Sequence, residues 1–404
     1  MRKIAVFTGN RAEYGLQFPV LKAIEEHPEL EYQLIVSGAH LDTSFGSTLS
    51  EIRNDGFTIS AEVKIEFNQD SSSSTAQAIG SGIVAMVGVL NQLKPDILVV
   101  YADRFEGFAA VIAASQMSIP VAHIEGGDLT EGGALDDSVR HAMSKLSHLH
   151  FTTNQQATNR LLAMGEEPWR VHTVGLPAID VISDGCYADS NTVVERLNLD
   201  LSKPIILFTQ HSVTTEFEDA LKQISPSLEA LKKAAQDGMQ VVITYPNNDA
   251  GGKAIIDAIA LLDAESLSGI QVHRSLGRYL YHGVLGLAKE PSIKIVCVGN
   301  SSSGIKESPI FGCPTINIGS RQSGRLRGSN VLDADYNEME ITVAVKRCLF
   351  DIDFRAECSQ TINPYYIGRA GQAIADTLSK VELGQAMIRK GMTLLGESKD
   401  GWHR

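Results

Sequence analysis

The chain has 404 residues, which at roughly 150 per domain predicts two or three domains. Hydrophobic residues make up 43% and charged residues 21%, ordinary globular usage that excludes a disordered or fibrous chain. Thirty-five Lys and Arg against 48 Asp and Glu leave a net charge of −13, which disfavours nucleic acid as a partner but leaves room for a local cationic pocket.

In chain order, short continuous apolar runs at 4–8, 32–37, 97–101, 120–124 and 149–152 predict strands of a parallel sheet buried on both faces. Ahead of the third run, Ile79, Ile83, Met86, Val87, Leu90 and Leu93 recur at helical steps, with a serine of 71–74 or Thr75 as the expected cap. A second series follows, with strands expected at 205–210, 241–245, 270–273, 295–298 and 314–318. Alternating strands and helices predict an α/β fold of two parallel-sheet domains facing a cleft, with ligands beyond the carboxyl ends of the strands. The expected boundaries are 1–180, 181–367 and a C-terminal segment, 368–404, whose helix near 368–383 crosses back to the first domain.

The stretch after Met1 is too short for a signal peptide, and the apolar run 108–124 is interrupted by Ser115, Gln116, Ser118 and Pro120. The expectation is a cytoplasmic protein with no membrane partner. The five scattered cysteines lack CxxC spacing and read as reduced thiols, with neither a disulfide framework nor a zinc site. Asp333/Asp335 and Asp351/Asp353 have the DxD spacing of some metal sites but no third ligand nearby, so no metal is expected.

Polar residues cluster at the ends of predicted strands. After the first strand, Gly9 to Gly15 forms a turn into a helix, where backbone N–H groups and Arg11 suit a phosphate; an ordinary turn with a solvated arginine is the alternative. Asp103 and Arg104 follow the 97–101 strand, either as a rim ion pair or with Asp103 as a proton-handling carboxylate. Glu125 ends the next strand beside Gly126 and Gly127. Asp136 and Asp137 open a helix, and Asp136/Arg140 and Asp137/His141 have i,i+4 spacing, so helix capping competes with catalysis there. Carboxylates crowded into one pocket separate acid from base by pushing their pKa values apart. His211 follows a strand of the second half, as a structural or a catalytic histidine. Residues 299–307 read as strand, serine turn and helix, suited to a diphosphate, with Glu307 placed for ribose hydroxyls or as a capping-box glutamate. Arg321 follows the next strand and offers a further phosphate contact.

The motifs GNRAEYG (9–15), ADRFEG (102–107), HIEGGDLT (123–130), LDDSVRHAMSKLSHLHF (135–151), QHSVTTEF (210–217), YPNNDAGG (245–252) and GNSSSGIKESPIFGCPTINIGSRQSGR (299–325) carry a family likeness. In sequence and order they resemble the hydrolysing UDP-N-acetylglucosamine 2-epimerases of sialic-acid biosynthesis. Non-hydrolysing relatives show GTRPE, HVEAG and HRREN where this chain has GNRAE, HIEGG and HSVTT. The resemblance implies two Rossmann-like, doubly wound domains in a glycosyltransferase-B-like fold, a UDP-sugar substrate, no cofactor, and a homodimer or homotetramer. It implies Asp103, Glu125, Asp136 or Asp137, and His211 as catalytic residues. Arg11, Arg104, Arg140, His141, Asn247, Ser301, Ser302, Glu307 and Arg321 would bind or support the substrate. A segment at 129–134 that is longer than in animal relatives admits a UDP-2,4-diacetamido-2,4,6-trideoxy sugar as the alternative substrate. A retaining glycosyltransferase and a non-catalytic UDP-sugar sensor are the competing functions.

Overall fold

Two parallel sheets organise the chain, each inside its own compact unit. The computed structural model describes residues 1–41, 48–65, 73–129, 135–247 and 250–393, with side chains at all but 11, 12, 39, 48 and 135. The first unit comprises Met1–Leu129, Leu135–Asp180 and the chain from Tyr365 onward; the second comprises Val181–Pro364.

The first sheet contains β1 (Arg2–Thr8), β2 (Leu30–Ser37), β3 (Ile59–Val63), β4 (Ile97–Tyr101), β5 (Val121–Ile124), β6 (Leu149–Thr152) and β7 (Val171–Thr173). Its order is β3-β2-β1-β4-β5-β6-β7. Alternation along each strand feeds two cores. Ile4 and Val6 face one with Ile97 and Val99, while Ala5 and Phe7 face the other with Leu98 and Val100. Burial on both faces explains why the central strands read as unbroken apolar runs. The second sheet contains β8 (Ile205–Thr209), β9 (Gln240–Thr244), β10 (Ile270–His273), β11 (Ile295–Gly299), β12 (Thr315–Ile318) and β13 (Val331–Ala334), ordered β10-β9-β8-β11-β12-β13. Both are doubly wound α/β sheets. Strand order reverses between β1 and β4 in one and between β8 and β11 in the other, and those reversals open the crevices where ligands of such folds sit.

Sequence reading missed β3, β7 and β13. Two are edge strands of the first sheet and one an edge of the second, and none is fully buried. A half-exposed ISAEV, VHT or VLDA carries no continuous apolar signal. The helix Ser74–Leu93 also differs from expectation. Its buried face is Ser74, Ala78, Gly82, Met86 and Leu90, and Val87 lies outward. A Cβ on Gly82 would come within 3.0 Å of the Ala109 methyl, so small residues set the contact with the helix Phe105–Gln116. Ser73 stands at the N-cap position, and no side-chain cap bond forms there. By length and composition alone this helix could cross a membrane, yet its inner stripe is part of the core under the first sheet.

The chain returns to the first unit through the helix Ala370–Lys380, whose first N–H groups, those of Ala370 and Gly371, donate to the Asp180 carboxylate at 3.1 and 2.7 Å. The segment beyond it is pinned from beneath. Arg170, fully buried, donates to the carbonyls of His148, Ala386, Met387 and Arg389. Lys390 donates to the carbonyls of Ser144, Lys145 and Ser147, where the helix Leu135–Leu146 ends, and pairs with buried Glu166 at 2.7 Å. Glu166 also meets Lys145 and His150. These bonds satisfy carbonyls that a helix end leaves without intrahelical partners.

One aspartate of each DxD pair bonds within the fold. Asp333 bonds Asn317 and Arg327, and Asp351 caps the helix Ile352–Ser359. Cys297, Cys313, Cys348 and Cys358 are buried free thiols, and Cys186 is exposed.

Candidate active site

The first cluster lies at the carboxyl ends of β4 and β5. Arg140 is 2% exposed, ion-paired to Asp103 and bonded to Asp137 at 3.2 Å. Glu125 and Asp128 also lie within its electrostatic reach. Burial opposes the guanidinium charge, but these four carboxylates outweigh it and raise the Arg140 pKa above its ordinary value. A buried charge without partners would cost several kcal/mol, so one cation requires anions from three elements to converge. Asp103 arrives on the turn after β4, Glu125 and Asp128 on the turn after β5, and Asp137 on the first turn of Leu135–Leu146.

Two of these turns hold non-glycine residues in the left-handed region, Ala102 at φ 56° and Glu125 at φ 66°. Such conformations need surrounding support, and they are enriched at functional sites. Tyr101 ends β4, buried, with Glu125 as its charged neighbour; burial first, then that carboxylate, pushes its hydroxyl pKa well above normal.

The second cluster lies at the ends of β8, β11 and β12. The Asn300 side chain brackets the His211 backbone, accepting from its N–H at 2.6 Å and donating to its carbonyl at 2.9 Å. The Asn247 N–H donates to His211 Nδ1 at 3.0 Å, which leaves the ring proton on Nε2. Burial, reinforced by the Arg321 charge, lowers the His211 pKa to about 3, so the ring is a neutral donor near pH 7. Arg321 and Gln322 both donate to the Asn300 carbonyl, at 3.2 and 2.8 Å. In the serine turn, Ser301 caps the short helix Ser302–Lys306 and Ser303 Oγ meets Tyr281 Oη at 2.7 Å. Glu307 stands at the far end of that helix with its carboxylate 3.0 Å from His282 Nε2, so it is no capping-box residue.

The sequence matches the family described as UDP-N-acetylglucosamine 2-epimerase over residues 22–379. The chain belongs to this family. A Legionella pneumophila protein named UDP-N,N'-diacetylbacillosamine 2-epimerase (hydrolyzing) is 33% identical, covering 86% of this chain and 89% of its own. A Campylobacter jejuni GDP/UDP-N,N'-diacetylbacillosamine 2-epimerase (hydrolyzing) is 34% identical over 84% of this chain and 86% of its own. A Neisseria meningitidis UDP-N-acetylglucosamine 2-epimerase is 32% identical, over 86% and 87%. The crystal structure of a Neisseria meningitidis UDP-GlcNAc 2-epimerase bound to UDP-GlcNAc shares the fold at a TM-score of 0.76 and 20% identity, covering 94% of this chain and all of the other.

In this family member the expected residues fall into distinct environments. Asp103 pairs with Arg140 and not with Arg104, which is exposed and 3.6 Å from Glu106. The i,i+4 pairing of Asp136 with Arg140 does not form; Arg140 reaches back three residues to Asp137, while Asp136 is exposed. His141 is half-buried, its pKa lowered by burial against the pull of Asp137. Asn247 is exposed, and Ser301, Ser302, Glu307 and Arg321 are half-buried. The Arg11 side chain and the segment 130–134 lie outside the described residues. Asp128, 2% exposed, was visible in its motif, but nothing in its spacing marked it as a partner of Arg140.

Glu13 also escaped sequence reading. It is 3% exposed and accepts from Gly9 N–H at 2.6 Å, and burial, then the Glu106 charge, raises its pKa from 4.5 to about 8. The folded chain therefore keeps this proton through a range where the unfolded chain has lost it, and stability falls as pH rises from 4.5 through 8. The difference amounts to about 4 kcal/mol by pH 8. Glu13→Gln keeps an acceptor for Gly9 without the charge, so its melting temperature should decline less than the parent's between pH 6 and 9. Parallel melting curves against pH for the two proteins would contradict this.

Proposed function

We propose that the chain is a hydrolysing 2-epimerase that converts a UDP-2-acetamido sugar and water into the free manno-configured sugar and UDP. The observation that carries this reading is the set of carboxylates at the first unit's polar end, Asp103 and Glu125 after neighbouring strands and Asp136 in the first turn of Leu135–Leu146, far more acid–base capacity than nucleotide binding needs. One carboxylate takes the C2 proton as the C1–O bond breaks and UDP departs, giving a 2-acetamidoglucal. Water then adds at C1 while a second carboxylate returns a proton to the opposite face of C2. His211 offers its Nε2–H to the departing diphosphate, with Ser301, Ser302 and Arg321 of the same unit sharing its charge. Glu307, held by His282, accepts from ribose hydroxyls. Arg104 and His141 are assigned to the sugar and Asn247 to the phosphate. Arg140 keeps Asp103 and Asp137 in place.

UDP-N-acetylglucosamine is the first substrate to test. The UDP-2,4-diacetamido sugar is the second reading, favoured by the names of the Legionella and Campylobacter relatives. In deuterated water, the substrate used should yield free UDP and a hexosamine carrying deuterium at C2, with no acceptor sugar added. Absence of both products with both sugars would sink the assignment, and turnover that requires an acceptor would favour a glycosyltransferase. In the same assay Asp103→Asn and Glu125→Gln should lower turnover by about 10²–10⁴-fold while UDP still binds.

Asp136 and Asp137 divide by environment. Asp137 is committed to a buried cation, so Asp137→Asn should destabilise the fold on the order of 3 kcal/mol. Asp136→Asn should leave the melting temperature in place and lower turnover. The reverse pattern would exchange their roles.

The protein is further proposed to self-associate through the outer face of Ser74–Leu93. Residues 71–93 hold no charged side chain in a chain of net charge −13, and Val84 is 75% exposed. A neutral face is one that two copies of an acidic chain can bring together without repulsion. Val84→Glu should shift the mass measured by light scattering to that of a monomer; an unchanged oligomer, or a monomeric parent, refutes this.

A further inference from the structure

His123 is fully buried in β5, and the acid–base chemistry above gives it no part. Its Nε2 lies 2.7 Å from the Ala102 carbonyl, and its Nδ1 lies 3.0 Å from Ser144 Oγ. A carbonyl only accepts, so Nε2 carries the ring proton and donates, and Nδ1 accepts from the serine hydroxyl. The ring therefore ties the turn after β4 to the helix Leu135–Leu146. The turn carries Asp103, and the helix carries Asp136, Asp137 and Arg140.

The bond to Ala102 falls where the backbone needs help. Ala102 has φ 56°, a conformation its Cβ disfavours, and its own N–H is held by the Ile124 carbonyl at 3.0 Å. His123 grips the other side of the same residue, so both polar groups of Ala102 are fastened to β5. The left-handed turn aims the next residue, Asp103, toward Arg140. Room for the ring–serine pair comes from Gly126, where a Cβ would stand 2.8 Å from Ser144 Oγ and 3.0 Å from His123 Nδ1. Burial lowers the ring pKa to about 3, which keeps the donor–acceptor pattern unchanged across working pH.

We propose that His123 is a positioning residue for the epimerase reaction, holding the strained Ala102 turn so that Asp103 meets the sugar in a productive orientation. This rests on the catalytic reading of Asp103. The role predicts a kcat effect without a KM effect, since Asp103 is assigned to proton transfer and the residues assigned to UDP are left unchanged. It also predicts that relieving the turn itself compensates for a lost ring.

The test uses the full chain and the deuterium-exchange assay, with melting temperature and UDP affinity measured alongside. His123→Leu should lower kcat by about 10–100-fold, the effect of leaving a buried carbonyl without its donor, with KM within about twofold. His123→Gln, whose Nε2 can reach the position of the ring Nε2, should recover most of that loss. Ala102→Gly, which removes the Cβ penalty at positive φ, should raise kcat in the His123→Leu background by roughly fivefold and have little effect in the parent. Parental kcat in a folded His123→Leu protein overturns the role, as does a loss that neither Gln nor Ala102→Gly restores. If His123→Leu does not fold, the ¹⁵N shifts of the parent's ring decide: a proton on Nδ1 overturns the arrangement and one on Nε2 supports it. Full turnover in Asp103→Asn would overturn the underlying reading, whereas loss there beside full turnover in His123→Leu overturns only the positioning role.

Discussion

One buried guanidinium governs the geometry of the first unit's polar end. Arg140 is surrounded by Asp103, Glu125, Asp128 and Asp137, and removing it from water is tolerable only because those carboxylates meet it. The turns after β4 and β5 and the first turn of Leu135–Leu146 must therefore end at the same point. Like charges do not gather unaided. The arginine supplies the compensating charge that lets them be neighbours.

The sheets supply the place. In each unit the strand order reverses once, and the polar clusters stand at that reversal: Asp103 beside the β1/β4 break, His211 and Asn300 beside the β8/β11 break. Positive φ occurs beside the polar cluster of each unit. Ala102 and Glu125 have positive φ, and Gly299 at φ 131° passes so close to Thr209 that a Cβ there would overlap its carbonyl. The His123 ring and the Asn300 N–H bond the Ala102 and Thr209 carbonyls beside these positions, at 2.7 and 3.1 Å.

The far side of the first unit shows the same economy with a different purpose. Glu166 collects Lys145, His150 and Lys390, and Arg170 spends its donors on four carbonyls. Together they anchor 384–393 against the end of Leu135–Leu146, the helix whose other end carries Asp136 and Asp137. That tail had no legible role in the sequence because its sole buried apolar residue, Met387, gives no periodic pattern, and its contacts are to backbone carbonyls, which any residue possesses.

What the amino-acid sequence determined by itself was the doubly wound α/β class, ten of the strands to within about two residues, and the motifs that mark the family. Strands buried on both faces must be apolar throughout, so a linear pattern reveals them, and edge strands such as VHT at 171–173 escape because one face meets solvent. The sequence also brought forward Asp103, Glu125, Asp136 and Asp137 as a group, since each follows a strand or opens a helix. It could not say which aspartate faces solvent, that Arg140 reaches Asp103 across 37 positions, or that Glu13 lies buried beside Glu106. Those facts depend on side chains brought together from separate elements, and desolvation, which sets their charge and their partners, exists only once the chain has folded around them.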